Sequence, residues 1–194
     1  MSAPVYPVFL RLDGARVLVV GGGPVAASKL DGLLAAGAHP TVVAPEISAG
    51  CRRPGVALVE RGFAPEDLEG ARFVIAAATP PVNRAVSAAA AARNLFVNAV
   101  DDPAAASAYL GGVVRKGDVT VAISTGGAAP ALAGLLREAL AAALPDDLDA
   151  WLTVARAERA RWQADGTPMA ARRDRLLAAL LAARAASTLT PEPS

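Results

Sequence analysis

Residues 16–37 read RVLVVGGGPVAASKLDGLLAAG, and no other stretch restricts the fold of this chain as tightly. Val17 to Val20 is a β-branched and leucine run of the length expected for a strand buried on both faces, as in a parallel sheet. Gly21, Gly23 and Ala26 follow at the spacing G-x-G-x-x-G/A, with Pro24 and Val25 in the two variable places. In that spacing the first glycine allows a tight turn, the second lets backbone approach a pyrophosphate, and the third small residue lets helix pack on strand. Ala26, Ala27, Leu30, Leu33 and Leu34 then recur at helical spacing, and Gly37 suits the left-handed residue that closes a helix. Strand, glycine turn and helix come in the order a dinucleotide site needs, with free amides and a positive dipole end at Pro24 to Ala27 for the phosphates.

The rest of the first half repeats the alternation. Thr41 to Ala44 reads as a second buried strand stopped by Pro45, which completes a βαβ unit. In such units the second strand ends on an acid that holds the adenosine ribose. Here that place is Ala44, with Glu46 two residues on as the candidate ribose contact. No basic pair follows at once to take a 2′-phosphate, since Arg52 and Arg53 are farther along, which favours NAD over NADP. Further strands are expected at Val56 to Val59, Phe73 to Ala78 and Leu95 to Asn98, with a helical turn at Pro65 to Leu68. Thr79-Pro80-Pro81 opens a helix over Val82 to Arg93. The product is an α/β domain with a doubly wound parallel sheet. Val5 to Leu12, with Pro4 and Pro7, reads as a short edge strand or an extended arm.

After about Tyr109 the pattern changes. Tyr109 to Val114 and Val119 to Ser124 form two strand-like runs joined by Arg115-Lys116-Gly117-Asp118, a hairpin rather than a βαβ unit. Ser124-Thr125-Gly126-Gly127 then leads into a helix from Pro130 to about Ala143, with Leu132, Leu135, Leu136, Ala139 and Leu140 on one face and Pro145 ending it. Asp146, Asp147 and Asp149 stand at the start of the next helix, where they favour its dipole. Two arginine-rich helices follow, split by Gly166-Thr167-Pro168; the second carries a Leu176, Leu177, Leu180, Leu181 stripe, and 188–194 reads as a frayed tail.

Composition removes several function classes. A net charge of +1 gives no nucleic-acid footprint. No run reaches membrane-spanning length, the N-terminus lacks the basic and apolar regions of a secretory signal, and the expected location is the cytoplasm. The single cysteine, Cys51, reads as a loop thiol and leaves no internal disulfide; with His39 the only histidine, placed in the turn before the second strand, no tightly held metal site is expected. The arginine-rich helices read either as solvated faces or as a field that steers a substrate rich in carboxylates.

Two stretches carry chemistry beyond the glycine turn. Asp101 lies at the carboxyl edge of the sheet, where such folds bind ligands and where a carboxylate can take a proton as hydride leaves; with Asp102 and Pro103 it also reads as a plain turn. Ser124, Thr125, Gly126 and Gly127 read either as an anion site suited to a substrate carboxylate or as an ordinary strand-to-helix connection.

GGGPVAASK at 21–29, VVAPE at 42–46, NAVD at 98–101 and ISTGGAAPALAGLLREAL at 123–140, in this order and at these separations, resemble the precorrin-2 dehydrogenases of sirohaem synthesis. The same sequence pattern also forms the N-terminal part of multifunctional sirohaem synthases. The resemblance covers about residues 4–145, and its last motif is far more specific than its first. It implies a Rossmann domain over 1–108, a central segment over 109–145 through which two chains form a homodimer, a helical end over 146–187 and a tail over 188–194. It implies NAD-dependent oxidation of precorrin-2, a reduced tetrapyrrole rich in carboxylates, to sirohydrochlorin, with ferrous iron a second substrate in those members that also make sirohaem. Carried onto this sequence, the catalytic acid falls on Asp101. Cofactor contacts fall on Gly21, Gly22, Gly23, Pro24, Val25, Pro45, Glu46 and Thr79, and substrate contacts on Asn98, Ser124, Thr125, Gly126 and Gly127. The sequence departs from the family pattern at Thr79-Pro80-Pro81, where T-D-D or T-N-D is frequent, at Ala108 and Gly111, and at Ala27-Ser28-Lys29. The rival readings are an NAD-sensing regulatory module, which would have no need of the 123–138 stretch, and a dehydrogenase of another substrate.

Overall fold

A computed structural model describes residues 5–188. Of these, the residues up to Leu110 together with Gly126–Ala128 form one compact unit, and Gly111–Thr125 with the residues from Ala129 onward form another.

The first unit is built on five parallel strands, β1 (Arg16–Val20), β2 (His39–Ala44), β3 (Ala57–Glu60), β4 (Phe73–Ala76) and β5 (Val97–Ala99), in the order β3-β2-β1-β4-β5. Helices α1 (Pro24–Ala35) and α2 (Pro80–Ala91) serve the two faces. The period of two in a strand sorts the side chains: Val17 and Val19 join Leu30, Leu33 and Ala26 of α1, whereas Leu18 and Val20 join Val86 and Ala90 of α2. Every residue from Val17 to Val20 is buried, as expected for the central strand of a covered parallel sheet. Pro40 is tolerated inside β2 for a register reason. The His39 amide donates to Ala15, so the amide missing at Pro40 would face β3, whose pairing begins only at Thr41. Gly37, at φ +72°, closes the helix as expected. Pro65–Leu68 forms the expected short turn, as a 3-10 helix. There the buried Asp67 accepts from both terminal nitrogens of Arg61, at 2.6 and 2.8 Å, and from the Ala64 amide. The Arg61 hydrogen bonds hold its carboxyl below the usual range.

The second unit contains the antiparallel hairpin β6 (Gly112–Lys116) and β7 (Val119–Ile123), then α3 (Pro130–Ala143), α4 (Leu148–Asp165) and α5 (Met169–Thr188). Lys116 ties the hairpin to the chain after α3, donating to the Leu144 carbonyl and to Asp146. Arg156 of α4 pairs with Asp118 in the hairpin turn.

Several expectations need correction. The hairpin turn is only Gly117-Asp118, with Gly117 at φ +54°, because Arg115 and Lys116 pair within β6. Of the two readings of Val5 to Leu12, the extended arm holds: it pairs with no strand among the described residues, and Tyr6 and Phe9 are exposed; Pro4 lies outside the described residues. β4 stops at Ala76, since the chain diverges from β1 once the Ala77 amide has bonded Val20. His39 is the exposed first residue of β2, not part of the preceding turn. Cys51 is no loop thiol but a fully buried residue of a 3-10 turn, Ala49–Cys51. The apolar face of α3 keeps its expected spacing and is exposed: Leu135 is 65% exposed, and Leu132, Leu136 and Leu140 are exposed too. Of the α5 stripe, Leu176 and Leu180 turn inward while Leu177 and Leu181 face solvent. Thr188 ends α5 rather than beginning a tail, and 189–194 lies outside the described residues.

Candidate functional site

The glycine turn after β1 is shaped by two backbone segments that pass against it. A Cβ on Gly21, which sits at φ +120°, would lie 2.2 Å from the Ala77 carbonyl oxygen, and one on Gly22 would lie 2.1 Å from that of Glu46. Those two glycines are therefore demanded by the loops after β4 and β2. Gly23 differs: nothing lies within 4 Å of its Cβ position. The carbonyl of Gly22 is held from below, accepting from the Ser48 amide at 2.9 Å and from the Cys51 thiol at 3.5 Å. Gly23 is the N-cap of α1, with Pro24 in the first turn and no side chain capping it. The amides of Val25 and Ala26 thus have no acceptor within the helix. Ala26 is fully buried, closing helix onto strand as its small size allows.

Beside this turn, at the carboxyl ends of β1, β4 and β5, lies a crevice of about 400 Å³ lined by Val25, Ala77, Ala78, Pro80, Asn83, Arg84, Val100, Asp101 and Asp102. In the order β3-β2-β1-β4-β5 the chain reverses direction of progress between β1 and β4, which is where open α/β sheets bind ligands. The two acids are not equivalent. Asp102 accepts from the Ala105 amide at 3.3 Å and so serves the turn. Asp101 sits at φ +57°, a left-handed conformation that only short polar side chains adopt readily, is exposed, and accepts no hydrogen bond among the described residues.

Asn83 was not among the residues the sequence singles out. It is 3% exposed; its Oδ1 accepts from the Ala78 amide at 2.9 Å and its Nδ2 donates to the Val100 carbonyl at 3.5 Å. One side chain therefore joins the loop after β4 to the loop that carries Asp101. The only signal for it was an asparagine in a helix otherwise rich in alanine and valine. Arg84, beside it on α2, was missed as well.

The remaining candidates divide. Pro45 and Glu46 are exposed after β2, with the Glu46 backbone against Gly22 and its side chain in solvent. Thr79 caps α2 through its carbonyl, which accepts from the Asn83 amide, and does not line the crevice. Asn98 is 8% exposed and donates to the Ala108 carbonyl at 3.0 Å, so its amide braces the loop after β5. Gly126 and Gly127 turn at φ +62° and +80°, with Gly127 beside Tyr109 and Pro103 of the same unit. In the other unit, Ser124 is exposed and Thr125 Oγ1 accepts from the Ala129 amide at 3.2 Å ahead of α3. Among the described residues no group of three histidine, cysteine or acidic side chains is placed to hold a metal ion.

A bound dinucleotide suits these residues. The open face at Gly23 and the free amides of Val25 and Ala26 supply a cradle for a pyrophosphate, and the crevice continues from Val25 to Asp101. Sheet order, glycine turn and crevice define a dinucleotide-binding α/β protein of the Rossmann type. Comparison with known proteins narrows this. The chain belongs to the family described as "Putative NAD(P)-binding", whose model matches residues 8–112. Residues 116–143 match a second model, "Sirohaem biosynthesis protein central". A siroheme synthase of Pseudomonas entomophila is 45% identical over 144 residues, 72% of this chain and 31% of that protein. Siroheme synthase 3 of Aeromonas hydrophila is 41% identical over 181 residues, 89% of this chain and 39% of that protein. The chain thus spans about a third of the length of the curated relatives it matches. Among solved structures, "SirC, precorrin-2 dehydrogenase" superposes with a TM-score of 0.69 at 26% identity, covering 89% of this chain and 88% of that one.

Proposed function

We propose that this chain binds NAD and uses it to dehydrogenate precorrin-2 to sirohydrochlorin, with Asp101 as the acid-base residue. The observation that carries the reading is the Asp101 carboxylate: free of partners, held in a left-handed backbone, and lining the same crevice as Val25 of the glycine turn. A residue kept in such a conformation without a structural bond to repay it is a mark of function. The similarity to a precorrin-2 dehydrogenase over 88% of that chain's length supplies the substrate.

When bound, NAD accepts a hydride from the tetrapyrrole. The chain's own residues do the rest. The free amides at the start of α1 bind the pyrophosphate, and Gly23 leaves room for it. Asn83 fixes the two loops so that the carboxylate of Asp101 stays at the crevice, ready to take the proton released as the hydride departs. Glu46, exposed after β2, is the residue assigned to the adenosine ribose hydroxyls, and its charge would repel a 2′-phosphate. Arg52 and Arg53, the first cations after β2, pair with Glu60 and Asp31, which offsets their charge toward such a phosphate. These features support NAD over NADP. The exposed leucines of α3 support a homodimer, since a second copy of the same stripe would remove them from water.

The test is turnover of precorrin-2 with NAD, followed by sirohydrochlorin absorbance. Asp101→Asn is the suitable variant because asparagine tolerates the left-handed backbone. Its rate should fall by about 10²–10⁴, the usual contribution of a positioned acid-base group, while NAD affinity stays within about twofold. An active Asp101→Asn refutes the assignment of the acid. Wild-type protein that binds NAD but never oxidises precorrin-2 would favour the sensory module.

A further inference from the structure

We infer that Arg84 anchors a carboxylate of the substrate in the crevice that Asp101 also lines, and so sets specificity for a polycarboxylate. The inference rests on the dehydrogenase reading above and extends it to how the macrocycle is held.

Arg84 is, among the described residues, the one cationic side chain lining the crevice, and its guanidinium makes no hydrogen bond or ion pair there. The surroundings call for such a group. Asp101 and Asp102 both line the crevice, so a substrate bearing several carboxylates would be repelled from the site unless a cation offset them. Backbone supplies few donors at this edge. Pro80 and Pro81 occupy the first two positions of α2 and have no N–H, and the Asn83 amide is spent on the Thr79 carbonyl. One turn into the helix, Arg84 restores a charged donor, with a planar fork matched to a carboxylate. The pyrophosphate has its own donors in the free amides at Val25 and Ala26, which leaves Arg84 for the substrate.

The experiment compares full-length wild type, Arg84→Gln, Arg84→Lys and Arg93→Gln in two titrations at one fixed ionic strength: sirohydrochlorin, read by its absorbance change, and NAD, read by calorimetry. Arg93, two residues past the end of α2 and not lining the crevice, has a side chain that donates to the Ala89 carbonyl and serves as the control for net charge. Arg84→Gln should weaken tetrapyrrole binding about ten- to hundredfold, the range for losing a charge-assisted hydrogen bond, and leave NAD within about twofold. Arg84→Lys should recover part of the loss, keeping the charge without the fork. In turnover, KM for precorrin-2 should rise with kcat little changed. Tetrapyrrole binding by Arg84→Gln equal to wild type, or a matching loss of NAD affinity, overturns the inference. Wild type that binds no tetrapyrrole at all would instead overturn the dehydrogenase reading itself.

Discussion

The three consecutive glycines after β1 should separate by experiment into two that the fold needs and one that the ligand needs. Gly21→Ala would place a methyl 2.2 Å from the Ala77 carbonyl oxygen, where ordinary contact begins at 3.4 Å, so backbone must move by more than an ångström. Overpacking of that kind costs roughly 1–3 kcal/mol. Holding a side chain at φ +120° costs on the order of 1–3 kcal/mol more. The total, about 2–6 kcal/mol, corresponds to a melting temperature lowered by roughly 5–20 °C for a protein of this length. Gly22→Ala meets the Glu46 carbonyl at 2.1 Å without the conformational term, so its cost should be the smaller, about 1–3 kcal/mol. Gly23→Ala meets nothing within 4 Å, and Gly23 has φ −85° and ψ −174°, which alanine adopts freely. Its stability should be unchanged or raised by about 0.4–1 kcal/mol through a stiffer unfolded chain. The same methyl fills the space a pyrophosphate must enter, and NAD affinity should drop at least about tenfold, roughly 1.4 kcal/mol. Thermal melting and NAD calorimetry on the three variants decide it. A Gly23→Ala protein that melts as early as Gly21→Ala, or that binds NAD like wild type, would show this account of the turn to be wrong.

Acid stability should report Asp67. Because the native carboxyl is held below its unfolded value of about 3.9, its contribution is whole above that pH and is lost as pH falls through the lower native value. Asp67→Asn should therefore be less stable than wild type at pH 7, by about 1–3 kcal/mol for its lost charge-assisted bonds, with the gap closing as pH drops below about 4. A gap that stays constant in denaturant titrations from pH 7 to pH 3 contradicts this. On α3, Leu135→Glu puts a charge into the exposed stripe and should weaken self-association at least about tenfold in sedimentation equilibrium while leaving the monomer folded. Unaltered association would remove α3 from the interface.

How much could be read in advance followed from how local each signal was. The β1–glycine–α1 unit was legible because the strand, the turn and the helix all leave their marks within about twenty residues. α3 was bounded correctly by Pro130 and Pro145, and its leucines share one face as their spacing predicts, but nothing in that spacing says whether the face is covered within the chain. Period 3.6 identifies an apolar face, not what covers it. Asp101 was found at its strand end, but its left-handed backbone was not, since nothing in Ala99-Val100-Asp101 demands φ +57°. The loop that carries it is tied from a distance, the Val100 carbonyl accepting from Asn83, 17 residues away. Cys51 was missed as a packing residue for the same reason: its partner, Gly22, lies 29 residues earlier. Arg84 carried no spacing signal, and its role depends on which helix end faces the sheet's switch point.

The Gly22 carbonyl, gripped from below by Ser48 and Cys51, has an effect on its neighbour that neither contact makes directly. The bond joining Gly22 to Gly23 is a planar trans unit, in which oxygen and hydrogen lie on opposite edges. Anchoring one edge downward obliges the other to point upward, so the Gly23 hydrogen is aimed away from Ser48 and Cys51 before any guest arrives. Two unremarkable residues after β2 thus fix the bearing of a proton they never touch.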